Sequence, residues 1–292
     1  MKEAAAFYED FLTVEKDGKY VFTPSYSPEN APGRENGNPT SINATMDIMA
    51  AKQLLLSCID AAGILKQDAG LVKTWQKMLT KMPDYQVSAD GYFREWLWPG
   101  LEESNNHRHA SHLYALYDEI PREIVENPAL KKAVEKTIDA RYDFRKRSAG
   151  MAFGMVHEGL AAAHTGNARQ TEYAVNILAK DFWATGMASY HDPGITFNMD
   201  ISGGFPYLVS QSLVYSEPGY LKLLPALPAA WKEGSIEGLL LRGNIILQKL
   251  SWTENSVEIT LLAANSGTIK IESGGKTKSV KVIKNKPVTY KL

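Results

Sequence analysis

Apolar residues recur at helical spacing over most of the chain, and only near its end does the period shorten to two. Over 41–66, Met46, Met49, Ala50, Leu55, Cys58, Ile59, Ala62 and Leu65 follow the three-to-four spacing of one helix face, which predicts a long helix. A shorter helix is predicted over 3–13. Asp68 is placed to cap another, which carries Leu71, Trp75, Met78, Leu79 and Met82 and stops before Pro83. Further helices are predicted over 108–118, 127–142, 148–165, 168–182 and 204–215, with a break at Gly166-Asn167. Segments 23–40 and 84–106 are rich in turn residues and read as loops.

From Gly219 onward the texture changes. Val257, Ile259 and Leu261 alternate with polar residues, as do Ile269 with Ile271, Val280 with Val282, and Val288, Tyr290 and Leu292. Asn255, Gly267 and Gly274-Gly275 mark turns between them. The pattern predicts a helical domain over 1–218 and a small antiparallel β domain over 219–292, joined through the apolar segment LLPALP at 223–228. Serial helix pairs with long loops suggest an α/α toroid. The seven or eight helices visible are fewer than a closed six-pair ring needs, so the expected architecture is a partial (α/α)6 toroid followed by an antiparallel β-sandwich. A helix bundle or solenoid is the alternative, and no internal repeat is evident.

Composition narrows the class. The 292 residues carry 32 basic and 33 acidic side chains with no basic stripe, which argues against nucleic acid and against an anionic membrane surface as partners. No membrane span, which needs an apolar run of roughly 18–20 residues, is expected from the sequence. The N-terminal residues read as an amphipathic helix interrupted by acidic side chains, unlike a signal peptide. Cys58 is the single cysteine and falls on an apolar helix face, as a buried structural thiol would. No His-Glu-x-x-His pattern exists, and neither a metal site nor a cofactor is expected.

Candidate chemistry concentrates between residues 91 and 114. Glu95 sits among aromatic residues in GYFREWLW, and aromatic neighbours such as Trp96 can stack on a sugar ring and desolvate a carboxyl group. Three histidines and an arginine follow within six positions, His107 to His112, and can donate hydrogen bonds to hydroxyls. Plainer roles stand beside these. Glu95 can pair with Arg94 or Arg108, Asp200 can cap a helix, and Arg108 and His109 can brace the helix that begins there. His109 and His112, three apart, permit shared metal ligation, but no third ligand follows at suitable spacing. Trp183, Tyr190 and His191 border the loop before Asp200 and either line a sugar pocket or pack in a core.

Several motifs, in order, resemble the C-terminal part of glycoside hydrolase family 95. They are PSYSPEN (24–30), TMD (45–47), GYFREWL (91–97), NHRHASHLYALY (106–117), and LLPALPAAW with GLLLRG (223–243). That family comprises inverting α-L-fucosidases and some α-L-galactosidases, built as an (α/α)6 barrel followed by a β domain. The resemblance implies Glu95 as general acid and Asp200 as part of the water-activating machinery. It also implies Arg108, His109 and, less directly, His191 as substrate-holding residues. It implies a fucosylated oligosaccharide or glycan as substrate, and secreted or periplasmic full-length relatives. Three departures stand out: the family's water-activating asparagine motif is not found in this chain, Asp200 is followed by ISGGF, and the family's N-terminal β domain is not present. Three readings follow: the C-terminal portion of a fucosidase-like hydrolase, a catalytically impaired or sugar-binding remnant, or, more weakly, a toroidal phosphorylase. An incomplete ring would expose apolar flanks, so a missing N-terminal half or self-association is expected to cover them.

Overall fold

The computed structural model describes residues 1–14, 17–33, 38–147 and 150–292. Parts of the expected 23–40 loop and the first two residues of the helix expected over 148–165 therefore lie outside the described residues. The chain divides into two compact units, Met1–Ala161 and Ala162–Leu292.

The first unit contains α1 (Lys2–Phe11), the short strands β1 (Thr13–Val14) and β2 (Tyr20–Val21), α2 (Thr45–Leu65), α3 (Ala69–Thr80), α4 (Arg122–Val125) and α5 (Pro128–Arg147). A 3₁₀ segment spans Ser111–Leu116, and α6 (Ala152–Thr165) begins in this unit. Phe22, Ile48, Leu55, Trp75, Met82 and Leu97 pack one core. Cys58 is part of it, and burial raises its thiol pKa, in keeping with an inert structural thiol.

α2 starts later than its apolar period suggests. Residues 41–44 are not helical: Ser41 bridges Ser25, Ala44 bridges Trp96, and Asn43 turns in the left-handed region at φ 54°. The Leu97 amide donates to Asn43 O and the Thr45 amide to Glu95 O, so loop pairing takes backbone groups that a longer helix would have used. α2 is also long and apolar enough to span a membrane by length and composition, which the sequence reading had excluded. Interior helices meet the same criterion, and Ile48, Ala51, Leu55 and Cys58 bury one stripe of α2 in the core just described. Asp68 occupies the N-cap position of α3 but makes no side-chain cap; its carboxylate pairs with Lys2 Nζ at 3.0 Å.

The 108–118 helix is likewise shortened. Its residues form only the 3₁₀ segment, in which the Leu113 amide donates to Ala110 O and the following Tyr117 amide to Tyr114 O. Tyr117 Oη also donates to Ala110 O at 2.5 Å. α5 runs to Arg147, past the predicted end at 142. Its last turns look like a charged surface in sequence, yet Arg141 and Arg145 lie on the same buried stripe as Leu130, Val134 and Ile138.

In the second unit Gly166 (φ 76°) breaks the chain, and Asn167 Oδ1 accepts from the Gln170 amide to cap α7 (Ala168–Asp181). The hairpin β3 (Tyr190–Asp192) and β4 (Ile195–Phe197) precedes α8 (Met199–Leu213). α8 begins before the predicted 204 because Asn198 caps it, accepting from the Ile201 amide.

The remaining strands are β5 (Val214–Glu217), β6 (Tyr220–Leu223), β7 (Gly234–Ile236), β8 (Leu239–Leu241), β9 (Ile245–Thr253), β10 (Ser256–Ala263), β11 (Gly267–Ser273), β12 (Lys276–Val282) and β13 (Pro287–Lys291). They form a sheet of order β12-β11-β6-β5 and another of order β13-β10-β9-β7, with β8 also on β9. Leu221, Ile269 and Ile271 of the first sheet share a core with Leu247, Leu250 and Ile259 of the second. The helical part is thus followed by a sheet domain, as expected, with one correction: β6 and β11 pair in parallel. A period of two marks a strand facing a core but carries no information on its neighbour's direction.

Candidate active site

Three motifs far apart in sequence meet on one loop of the first unit, the PSYSPEN segment at 24–30. Asp47 Oδ2 accepts from Ser25 Oγ at 2.6 Å and from the Tyr26 amide at 3.1 Å. Glu95 accepts from Ser27 Oγ at 2.7 Å through Oε1 and from Asn30 Nδ2 at 2.9 Å through Oε2. Ser111 Oγ donates to Pro28 O, and Arg108 Nη2 pairs with Glu29. The TMD, GYFREWL and NHRHASH motifs therefore all fix the course of this loop.

Glu95 is only 1% exposed. Besides Ser27 and Asn30 it holds Arg141, whose Nη2 lies 3.0 Å from Oε2. Burial raises its pKa to about 7; Arg141 is the main opposing influence, followed by the Ser27 hydrogen bond. Neither simple pairing considered for Glu95 occurs: Arg94 Nε is 3.2 Å from Glu103 Oε1, and Arg108 is on Glu29. His112 Nδ1 is 3.5 Å from Glu95 Oε2, but burial keeps the pKa of His112 well below its usual value. The contact therefore joins a neutral ring to the carboxyl group and is not an ion pair.

Arg145, one turn beyond Arg141 on α5, makes a second buried anchor. It binds Glu158 through Nε and Nη2 at 2.9 and 3.0 Å, and its Nη2 donates to Arg108 O at 2.6 Å. Gly154 on α6 faces this contact, and a β-carbon there would collide with Arg145 Nη2 and the Arg108 carbonyl. Alanine normally gains about 1 kcal/mol over glycine inside a helix. Here the collision with backbone outweighs that gain, and Gly154→Ala is expected to lower stability by about 1–3 kcal/mol in a thermal melt.

A cavity of about 350 Å³ over Pro24, Tyr26 and Pro39 is open, and its one carboxylate, Asp47, is engaged by the loop. A more enclosed cavity, about 430 Å³, is bordered by Pro28 and Glu29 of PSYSPEN. Its lining includes Glu29, His109, Ser111 and Met46, with an aromatic wall of Tyr114, Phe153 and the Tyr117–His157 stack. Those last two rings lie 4.1 Å apart and nearly parallel, at 10°. Glu29 is the cavity's carboxylate, with a side chain 57% exposed, and His109 Nε2 is 3.7 Å from it. Glu95 and Trp96 do not line the cavity; Trp96 is completely buried. The acid role anticipated for Glu95 and the stacking role anticipated for Trp96 thus meet enclosed side chains with no open face toward a ligand.

The histidine cluster is held neutral. Burial, then Arg141, lowers the pKa of His107 to about 4; burial, then Arg108, does the same for His109. An unfolded histidine protonates near 6.5, so the unfolded chain binds more protons between pH 6.5 and 4. The stability these rings contribute is complete above pH 6.5 and is lost as pH falls toward 4. Glu95 acts oppositely: its raised pKa means its ionised form costs stability as pH rises from 4.5 to 7. Burial also raises the pKa of Glu103 and Glu158, which act with Glu95, so the histidine contribution is read by difference: the His107→Asn variant should lose less stability than the wild type as pH falls from 6.5 to 4.5. Thermal melts across that range check the sign.

The other anticipated residues lie in the second unit. Asp200 is exposed in the first turn of α8; the cap is Asn198, whose Nδ2 is 3.3 Å from Asp200 Oδ2. His191 on β3 is half-buried, its Nδ1 2.7 Å from Asp192 Oδ2. Trp183 packs beside Phe205, with ring centroids 6.0 Å apart. Sequence reasoning gave no role to Glu29, Arg141 or Arg145. PSYSPEN contained the first, and the arginines fell in register with an apolar stripe, a signal that charge alone had masked.

The glycosyl hydrolase family 95 catalytic-domain model matches residues 1–212, and that family's C-terminal-domain model matches residues 215–291. "Alpha-L-fucosidase 2" of Arabidopsis thaliana is 29% identical over 99% of this chain and 35% of its own length. "Probable alpha-fucosidase A" of Aspergillus oryzae is 26% identical over 77% of the chain and 33% of its own length. The chain thus spans about a third of the curated relatives it matches. A solved structure from the human microbiome described as a kojibiose phosphorylase aligns with TM-score 0.56 at 10% identity, covering 99% of this chain and 45% of that one, a likeness of fold alone.

Proposed function

Because the chain belongs to glycosyl hydrolase family 95, we propose that it is the C-terminal portion of an inverting α-L-fucosidase-like hydrolase that removes terminal fucose from glycans. The observation that carries this reading is the Glu29 cavity, a carboxylate oriented by Arg108 in front of an aromatic wall. Its volume falls within the 300–1,000 Å³ typical of small-ligand sites. The apolar C–H face of a pyranose can bury against Tyr114, Phe153 or the Tyr117–His157 pair.

In this reading Glu29 is the acid that protonates the leaving oxygen. His109, a neutral ring at the cavity wall, hydrogen-bonds sugar hydroxyls. Asp200 keeps the water-activating role and His191 a substrate-holding role on the strength of the family resemblance. Glu95, the residue that the resemblance gives as acid, stands behind this loop with its oxygens hydrogen-bonded to Ser27 and Asn30.

The test is release of L-fucose from a 1,2-fucosylated oligosaccharide, followed by NMR, together with calorimetry using L-fucose. An inverting reaction on an α-linkage gives β-L-fucose first. Release of the α-anomer would overturn inversion. Binding without release would favour a sugar-binding role, and neither binding nor release would overturn the proposal.

A further inference from the structure

We propose that a groove beside Trp98 is a second carbohydrate site, which holds a neutral oligosaccharide by its unfucosylated part. The groove, about 550 Å³, has Tyr20, Trp98, Lys19, Asp84 and Gln86 in its lining and shares no lining residue with the Glu29 cavity. Its volume lies within the range of small-ligand sites. Both aromatic residues are only half-buried. Trp98 is fixed by backbone hydrogen bonds on either side: the Leu97 amide donates to Asn43 O at 2.9 Å, and the Leu101 amide to Trp98 O at 3.3 Å. Tyr20 is pinned in the same way, its amide donating to Lys81 O at 2.8 Å. The inference rests on the fucosidase-like reading for the kind of ligand offered, and its test keeps the two apart.

An isolated tryptophan at the surface would carry little weight. Here a second ring and several hydrogen-bonding groups stand in one hollow. The C–H face of a pyranose stacks on an indole or phenol ring, and its hydroxyls need donors and acceptors at the rim. Asp84 supplies acceptors: its side chain is 79% exposed, and its contact with Lys19 Nζ at 3.0 Å leaves further lone pairs. Gln86 is also exposed, and its Oε1 accepts from Arg94 Nη1 at 3.2 Å, which leaves its amino group to donate. An anion is not favoured. Lys19, the one cation among the described lining residues, is engaged by Asp84 and by Met82 O at 3.0 Å, and Asp17 adds a second carboxylate. A purely apolar ligand would strip water from these rim groups without replacing its hydrogen bonds. Three residues, at most about 10 Å of extended chain, separate Trp98 from Glu95, which holds the PSYSPEN loop. A glycan seated in the groove is therefore kept near the cavity proposed to take its fucose.

The test uses the full chain labelled with 5-fluorotryptophan and follows the Trp98 signal by fluorine NMR, assigned through Trp98→Tyr. The probes are three unfucosylated tetrasaccharides, cellotetraose, mannotetraose and lacto-N-tetraose, with L-fucose and tetramethylammonium for comparison. At least one tetrasaccharide should shift the Trp98 signal. Its Kd should rise about tenfold in Trp98→Ala and less than about threefold in Trp98→Tyr, while L-fucose affinity stays as in the wild type. Where Trp98→Ala melts early, Asp84→Ala/Gln86→Ala decides, because both side chains are exposed; it too should raise the Kd several-fold with an unchanged melt. A Trp98 signal unmoved by all three tetrasaccharides, or an unchanged Kd in either folded variant, would overturn the inference. So would a response to tetramethylammonium alone, the mark of a cation site. Absence of L-fucose binding in the wild type, with the tetrasaccharide response intact, would instead overturn the fucosidase-like reading and leave the groove standing.

Discussion

Glu29→Gln is expected to lower turnover of a 1,2-fucosylated oligosaccharide by about 10²–10⁴-fold, the usual contribution of a positioned general acid. The same variant should lose far less on α-L-fucosyl fluoride, because fluoride departs without needing a proton. Comparison of kcat on the two substrates therefore separates loss of acid catalysis from general damage to the site. Equal losses on both would mean that Glu29 serves binding or structure. No loss on either, with a leaving-group-dependent loss in Glu95→Gln, would return the acid role to Glu95. Geometry favours the first pattern, since Glu29 lines the cavity and the oxygens of Glu95 are bound to Ser27, Asn30 and Arg141.

The largest expected stability effect belongs to Arg141→Met. Arg141 and Glu95 are both buried, and removing one member of such a pair typically costs about 3–5 kcal/mol because the other is left uncompensated. For a chain of this size that corresponds to a melting temperature lower by on the order of 10 °C. The deficit should depend on pH in a defined direction. Burial already raises Glu95 to about 7, and loss of Arg141, the main influence lowering it, raises it further. At pH 5.5 the lone carboxyl group is protonated and its burial is cheap; at pH 8 it must carry charge or force the site open. Melts at the two values should show the larger deficit at pH 8. Replacing both residues, as Arg141→Met/Glu95→Leu, should recover much of the stability, because neither charge is then left buried without its partner. A deficit independent of pH would contradict the pairing.

The sequence was informative wherever a local physical cause acts alone. The core stripe of α2 through Leu55 and Cys58 follows from periodicity, and the break between helices at Gly166-Asn167 from a glycine beside a short polar side chain. The strands from β9 to β13 follow from alternation against a shared core. Boundaries failed where long-range partners competed. Residues 41–44 leave the helix where Ser41 and Ala44 pair with Ser25 and Trp96, and 108–110 stay outside the 3₁₀ segment, where Arg108 meets Glu29 and Arg145. The site was legible as a set of motifs but not as an arrangement of roles. GYFREWL drew notice because aromatic residues crowd a carboxylate, and that crowding is the mark of either a tuned acid or a buried anchor.

By itself, the order of residues determined a helical region followed by sheets, the membership of glycosyl hydrolase family 95, and the segments that matter: PSYSPEN, GYFREWL and NHRHASH. Periodicity and motif content are properties of the chain read along its length. Only the tertiary structure decided that β6 and β11 run parallel, that Arg141 and Arg145 are buried anchors, and that Glu29, not Glu95, faces the cavity. The reason is that burial and pairing depend on what arrives from elsewhere in the chain. Glu29 and Glu95 are the same chemical group in similarly polar-aromatic stretches, and their surroundings alone separate them: one stands at a cavity, the other is enclosed by a serine and an asparagine of one loop and an arginine of a distant helix.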